Sequence, residues 1–298
     1  MYCSKFCLAR LGLCFNGVMQ QALIFTDLDG TLLDDRYDLP GAADALDRVH
    51  EMGALVVPIS SKTHAEMLLL RQCQRVKTPF VFENGAGIDW GESQQWLPDA
   101  LNLPSGVELQ GLAYAELCGQ LADLREELAI NFTGFNELSA EKVSELTKLS
   151  VAGATLAKQR MASEPLVWLD EGAPAVALQQ ALARCGLMLQ KGGRFYTATS
   201  TRQKNDAVAE IIYLLRSRSC CPKRLIVCGD GPNDLSMLAL ADIAMVFSHL
   251  EPNQSAQTPD QVRMRERLLD AADAPRVLEI SGAGHEVWLT AVASELDA

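Results

Sequence analysis

Two carboxylates, Asp27 and Asp29, stand one leucine apart in the run Thr26-Asp27-Leu28-Asp29-Gly30-Thr31. On an extended backbone they would point to opposite sides, but Gly30 lets the chain turn sharply so that both can reach one site. Alone, the run also fits an acidic loop or a cation loop, although the spaced oxygen ligands and the twelfth-position Glu of an EF-hand are missing. A second run, Gly229-Asp230-Gly231-Pro232-Asn233-Asp234, offers hard oxygen donors in Asp230 and Asp234. It would equally serve as a strand-to-helix turn with Asn233 or Asp234 as the cap. Ser60-Ser61-Lys62 sets a hydroxyl and a backbone N–H just ahead of a helix, which makes either a small anion site or simply a helix cap. Lys204 falls in the first turn of another helix, where it mildly opposes the helix dipole; this hints at a function, although solvated lysines are common at such positions.

The elements that must position these residues follow a regular rhythm. The short apolar run Ala22–Phe25 predicts a buried strand leading into Asp27. Ala42, Ala45, Leu46 and Val49 recur on one helix face, and Gly53 ends that helix. Leu55–Ile59 predicts a second strand ending at Ser60, with Pro58 in conflict with a central position. Thr63 and Glu66 form a capping box for a helix bearing Met67 and Leu70, and Pro79–Phe82 predicts a third strand ending in Glu83-Asn84-Gly85. Late in the chain, Val208, Ile211, Ile212 and Leu215 mark a helix, Leu225–Cys228 a strand ending at Gly229, and Asp242–Phe247 a further strand. Alternating strands and helices predict an α/β fold, a parallel sheet with helices on both faces, and ligands in such sheets sit at the carboxyl ends of the strands.

Between the two α/β portions the character changes. Helical patterns at Tyr114–Leu128 and Ala140–Leu149 alternate with strand-like pieces at Pro165–Leu169 and Phe195–Ala198. The expected organisation is a discontinuous core, residues 20–97 and 200–298, split by an inserted α+β domain at residues 98–199. His249–Asp260 reads as a loop and Val287–Leu296 as a terminal helix. Residues 1–19 are expected to be a disordered extension or the product of a start codon assigned too early, with Met19 as the start.

Composition limits the partners. Of 298 residues, 48% are hydrophobic and 21% charged, which excludes intrinsic disorder. Lys and Arg number 26 against 38 Asp and Glu, a net charge of −12, so nucleic acid and anionic membrane surfaces are poor partners. Nine cysteines without a C-x-x-C pair, and with scarce histidine, argue against a zinc site and read as buried thiols of a reducing compartment. No apolar run is long enough to span a bilayer, and a cytoplasmic location is expected. No sequence pattern identifies an oligomeric interface.

Taken in order, D-x-D-G-T, a serine at the second strand end, a lysine, and G-D-x-x-N-D resemble the motif set of the haloacid dehalogenase superfamily, the aspartate-nucleophile phosphatases. The inserted domain resembles the superfamily's C2-type cap. Within that class the chain is most similar to the mannosyl-3-phosphoglycerate phosphatase family. The likeness rests on Phe25 through Asp34, Ser61-Lys62-Thr63, Glu83-Asn84-Gly85, the pattern from Leu138-Ser139 to Leu149-Ser150, and Gly192-Gly193-Arg194-Phe195-Tyr196.

The resemblance implies Mg²⁺ held by Asp27, Asp230 and the carbonyl of Asp29, with Asp234 and Asn233 completing and orienting the metal shell. It implies Asp27 as nucleophile, Asp29 as general acid and base, and Lys204 and Ser60 as phosphoryl-binding catalytic groups. Ser61, Lys62, Asn84, Gly193, Arg194 and Asn233 become substrate-binding residues, with Arg194 gripping a carboxylate. Thr133-Gly134-Phe135 would line the sugar pocket or, for Phe135, the core. The implied substrate is mannosyl-3-phosphoglycerate. Glucosyl-3-phosphoglycerate, another sugar phosphate such as sucrose phosphate, or a phosphomutase reaction are the alternatives. A catalytically silent ligand-binding protein is disfavoured by the intact Asp27 and Asp29.

Overall fold

The computed structural model describes residues 21–91, 104–169, 176–191, 195–218, 222–248, 259–269 and 274–297. The first half of the core runs β1 (Ala22–Thr26), α1 (Leu39–Glu51), β2 (Ala54–Pro58), α2 (His64–Cys73), β3 (Phe80–Phe82), β4 (Gly87–Asp89) and β5 (Val107–Leu109). There follow α3 (Tyr114–Glu127), β6 (Phe132–Gly134), α4 (Ala140–Thr147), α5 (Val151–Ala157), β7 (Ser163–Trp168), α6 (Val176–Arg184), β8 (Leu187–Lys191) and β9 (Tyr196–Ser200). The chain then returns to the core through α7 (Lys204–Ser217), β10 (Arg224–Gly229), α8 (Leu235–Leu238), β11 (Ile243–Ser248), α9 (Pro259–Leu269), β12 (Arg276–Ser281) and α10 (His285–Leu296).

The central sheet has the order β12-β11-β10-β1-β2, with every pairing parallel. β1 is buried along its whole length because its two faces meet different helical layers. Ala22 and Ile24 pack with Leu46, Val49 and Trp288 on one side; Leu23 and Phe25 pack with Val208, Ile211 and Leu215 on the other. Each such fully buried aliphatic side chain contributes about 1.5–3 kcal/mol, so register is strongly specified, since a slip by one residue would exchange the two faces. That register pairs Thr26 with both Cys228 and Pro58, aligning the carboxyl ends of β10, β1 and β2.

Local rules account for the helices around this edge. Asp38 caps α1 by accepting from the Gly41 N–H, and Gly53 turns the chain into β2 with φ +85°. The capping box of Thr63 and Glu66 forms as expected at α2. Pro58 is tolerated because β2 lies at the edge of the five-stranded sheet and ends there.

Three expectations change. The third strand does not simply extend the parallel sheet: β3 joins it through one Ile59–Val81 bridge and pairs antiparallel with β4. A fifth parallel strand, β12, lies between the expected loop and the expected terminal helix, where the sequence suggests no element; its half-exposed edge position leaves no continuous apolar run to betray it. And of the four described cysteines only Cys228 is buried, Cys73 and Cys185 being exposed and Cys118 half-buried. The terminal helix does form, and residues 249–258 of the expected loop lie outside the described residues, as do residues 1–19.

Between β5 and α7 the chain builds a separate antiparallel sheet, β6-β7-β9-β8, covered by α3 and α6. Leu117, Leu121 and Leu124 of α3 and Leu178 and Leu182 of α6 share one cluster with Phe132, Leu166 and Ala198 of the sheet. Phe135 is buried with Val143 and Ala154, edge-on to Phe195, so its role is packing. Among the described residues no helix is long and apolar enough to cross a membrane.

Candidate active site

Asp27 follows directly on β1, its N–H bonded to the Cys228 carbonyl. The backbone then doubles back: Gly30 adopts φ +82° and its N–H reaches the Leu33 carbonyl. Asp230 and Asp234 follow β10. Gly229 leaves no room for a side chain, since a Cβ there would stand 2.6 Å from the Asp234 Cβ. The Asp234 carboxylate accepts from the N–H groups of Asp230 and Gly231, both at 3.1 Å. It therefore closes its own loop from within; it makes no side-chain cap to α8. Asp27, Asp230 and Asp234 bring one carboxylate oxygen each to within 4.8 Å of one another.

Lys204, the first residue of α7, is fully buried and aims into this group. Its Nζ lies 2.5 Å from Asp27 Oδ1 and 2.7 Å from Asp234 Oδ1. This explains the lysine's unfavourable position at a helix start: two carboxylates outweigh the dipole. Burial lowers its pKa, but Asp234 and Asp27 more than reverse that, and it stays charged. Burial raises the Asp27 carboxyl well above its usual range; Lys204 opposes this while Asp234 and Asp230 add to it. Three clustered carboxylates against one ammonium leave an uncompensated negative charge. The donors are hard oxygens, so the set fits Mg²⁺. The Asp29 side chain is outside this group; its implied contribution to a metal is the backbone carbonyl.

The Asp29 carboxylate turns to other partners. Tyr37 Oη donates to Asp29 Oδ1 at 2.8 Å, and Lys62 Nζ pairs with Oδ2 at 3.0 Å. Lys62 also stands 4.7 Å from the Tyr37 ring centroid, a cation–π contact. Burial lowers the Lys62 pKa, and Asp29 and Glu66 overcome that to hold it above its usual value. Tyr37 had no signal in the sequence, being one residue of a polar loop eight positions from Asp29.

Ser60 is buried beside this pair, its Oγ accepting from the Lys62 N–H at 3.2 Å. Ser61 is exposed, and its carbonyl takes a bond from Arg160. Asn84 adopts φ 57°, its N–H bonded to the Ser60 carbonyl while Oδ1 is buried without a partner. Asn233 sits in the helical turn Pro232–Asp234 next to the acidic group. Gly193 and Arg194 lie outside the described residues.

A second residue the motifs left without a role is Glu83. Its buried carboxylate accepts from the Met161 N–H at 2.8 Å, the Ala162 N–H at 3.0 Å and the Ser163 hydroxyl at 2.6 Å. Arg160 lies 3.7 Å away. The loop after β3 is thereby tied to the α5–β7 connection of the inserted sheet.

Residues 24–105, which hold Asp27, Asp29, Ser60 and Asn84, match the haloacid dehalogenase-like hydrolase family. Solved structures of the haloacid dehalogenase fold agree over almost the whole length. The phosphatase BT1666 of Bacteroides thetaiotaomicron is 18% identical with a TM-score of 0.57, covering 96% of this chain and 98% of its own. The subclass IIB sugar phosphatase BT4131 is 16% identical with a TM-score of 0.56, over 92% of this chain and 98% of its own. TM0651 of Thermotoga maritima is 15% identical with a TM-score of 0.56, over 93% and 97%. At these identities the likeness shows a shared fold alone.

Proposed function

We propose that this chain is a Mg²⁺-dependent phosphomonoesterase that hydrolyses mannosyl-3-phosphoglycerate to mannosylglycerate and phosphate. The observation that carries the phosphatase reading is Asp27, held at the end of the central strand against the buried ammonium of Lys204. A phosphate monoester is a dianion, and an unassisted carboxylate would repel it. Lys204 supplies positive charge where the phosphoryl group must sit. Mg²⁺, held by Asp27, Asp230 and Asp234 with the Asp29 carbonyl, supplies the remaining charge neutralisation when bound.

Against that background the chain's own groups account for two displacements. An Asp27 oxygen bonds to phosphorus while the phosphorus–alkoxide bond breaks, and the departing oxygen takes the proton of Asp29. Asp29, now a carboxylate, removes a proton from water; the water oxygen bonds to phosphorus and the Asp27–phosphorus bond breaks. Phosphate leaves and Asp29 keeps the proton for the next turnover. Ser60 and Asn84 donate to phosphoryl oxygens. The inserted sheet and its helices, within residues 98–199, act as a cap that excludes water during the first displacement.

The sugar-phosphate class is supported by the subclass IIB sugar phosphatase among the structural neighbours. The mannosyl-3-phosphoglycerate assignment is supported by the motifs at Ser61-Lys62-Thr63, Leu138–Ser150 and Gly192–Tyr196. Arg194 grips the glycerate carboxylate and Lys62 the neighbouring anion. Phosphate release with Mg²⁺ over a panel of sugar phosphates tests the reading. Mannosyl-3-phosphoglycerate should give the highest kcat/KM. Turnover of sucrose phosphate with both glycosyl-3-phosphoglycerates inert would overturn the substrate, and full turnover by Asp27→Asn would overturn the mechanism. Arg194→Ala should raise KM for glycerate-bearing substrates and leave that for a carboxylate-free ester in place.

A further inference from the structure

Tyr37 is the least expected residue around the site. It is a bulky, non-glycine residue at φ 53°, a backbone conformation that costs on the order of 1 kcal/mol or more. It is also 45% exposed, so burial of its ring does not account for holding that conformation. The local turn does not require it either: its N–H reaches only the Asp34 carbonyl, and Asp38, the next residue, already caps α1. What the conformation delivers is the phenol. Tyr37 Oη stands 2.8 Å from Asp29 Oδ1 and 3.3 Å from Lys62 Nζ, while Lys62 reaches Asp29 Oδ2 at 3.0 Å. Both oxygens of one carboxylate are thus taken by two donors that also touch each other.

We infer that Tyr37 is a positioning residue for the proton transfers of Asp29, fixing the carboxylate's rotation. The inference rests on the role given to Asp29 above. A carboxylate with 41% side-chain exposure on a loop would otherwise sample several rotamers, and misorientation by about 1 Å costs about two orders of magnitude in rate. Lys62 alone cannot fix it: a single flexible ammonium restrains one oxygen and leaves rotation about the Cβ–Cγ bond free. The Tyr37 hydroxyl, on a ring with two rotatable bonds beneath the Lys62 ammonium, restrains the second oxygen. In the first displacement the proton on Asp29 passes to the leaving oxygen as the phosphorus–oxygen bond breaks. In the second, Asp29 takes it back from water. Tyr37 keeps its own proton throughout.

The test is a leaving-group comparison. An alkyl phosphate must be protonated as it leaves, whereas p-nitrophenolate leaves without a proton. Tyr37→Phe keeps the ring and removes only the hydroxyl. Its loss in kcat/KM should be about tenfold greater on glycerol phosphate than on p-nitrophenyl phosphate, with the loss in kcat rather than KM. Asp29→Asn, run beside it, should show the same contrast enlarged. Equal losses on both esters in Tyr37→Phe, with the contrast intact in Asp29→Asn, would overturn the role of Tyr37 alone. Absence of the contrast in Asp29→Asn would overturn the role of Asp29 and the inference with it. A purely structural contribution of the hydroxyl would lower both esters together and shift the melting temperature.

Discussion

The Ser163 hydroxyl donates to the Glu83 carboxylate at 2.6 Å across eighty residues of chain. Glu83 is bent into φ 48° to make this possible, and the N–H groups of Met161 and Ala162 converge on the same carboxylate. The inserted sheet therefore also meets the catalytic edge away from the two places where the chain crosses. Its position is set from the loop that also orders Ser60 and Lys62, since the Glu83 N–H bonds to the Lys62 carbonyl and that of Asn84 to Ser60.

Glu83→Ala leaves two N–H groups and the Arg160 guanidinium without their buried acceptor. The expected cost is about 3 kcal/mol in urea denaturation, with faster hydrogen exchange at the Met161 and Ala162 amides. Glu83→Gln, which keeps the shape and one acceptor, should cost less than half as much. Unchanged exchange at both amides in Glu83→Ala would show that the tie does not hold the two sheets together.

Lys204→Met removes the ammonium from between Asp27 and Asp234. Turnover should fall by at least about a hundredfold. Stability without metal should fall by about 3 kcal/mol because two buried carboxylates lose their partner. Saturating Mg²⁺ should restore more melting temperature to Lys204→Met than to the unchanged protein, since the cation meets a larger charge deficit. Equal Mg²⁺ shifts in the two would contradict the charge argument.

Mg²⁺ should raise the melting temperature of the unchanged protein in a concentration-dependent way, about 2.7 kcal/mol at a hundredfold excess over Kd. Asp230→Asn should abolish most of that shift. A shift retained in full would remove Asp230 from the metal set.

Asp89 predicts the acid limb of stability. Burial pushes its carboxyl up, but His64, Arg71 and the Gly91 N–H outweigh it and bring the pKa down to about 2 from 3.8. The folded state thus binds this proton less readily than the unfolded chain. The contribution, about 2 kcal/mol, is complete above pH 3.8 and is lost as pH falls towards 2. Asp89→Asn should flatten that stretch of a stability–pH curve; a curve of unchanged slope would reject the assignment.

How much of this could be read from the sequence depends on distance along the chain. Asp27 was legible because Gly30 and an apolar strand flank it directly, and the Thr63–Glu66 box because capping is a four-residue affair. Lys204 was legible only as a local anomaly; its reason lies on β1 and β10. Tyr37 and Glu83 were not legible as site residues because their partners, Lys62 and Ser163, are brought near by the sheet and the insertion. β12 escaped because Arg276-Val277-Leu278-Glu279-Ile280-Ser281 is an edge strand with exposed ends, too mixed in polarity to stand out.

The order of the central sheet has a consequence for how the protein is made. Ala22 pairs with Ala54 on one side and with Arg224 on the other. On a ribosome adding about ten residues per second, the strand bearing the nucleophile has its first neighbour within seconds and waits about twenty seconds for its second. Throughout that wait its far edge is a bare row of backbone donors and acceptors, the kind of edge that recruits other chains. All four strands of the inserted sheet, from Phe132 to Ser200, leave the ribosome before β10 does. The insertion is thus synthesised in full while the catalytic strand is still open, and nascent chains stalled before Arg224 are the ones exposed to aggregation.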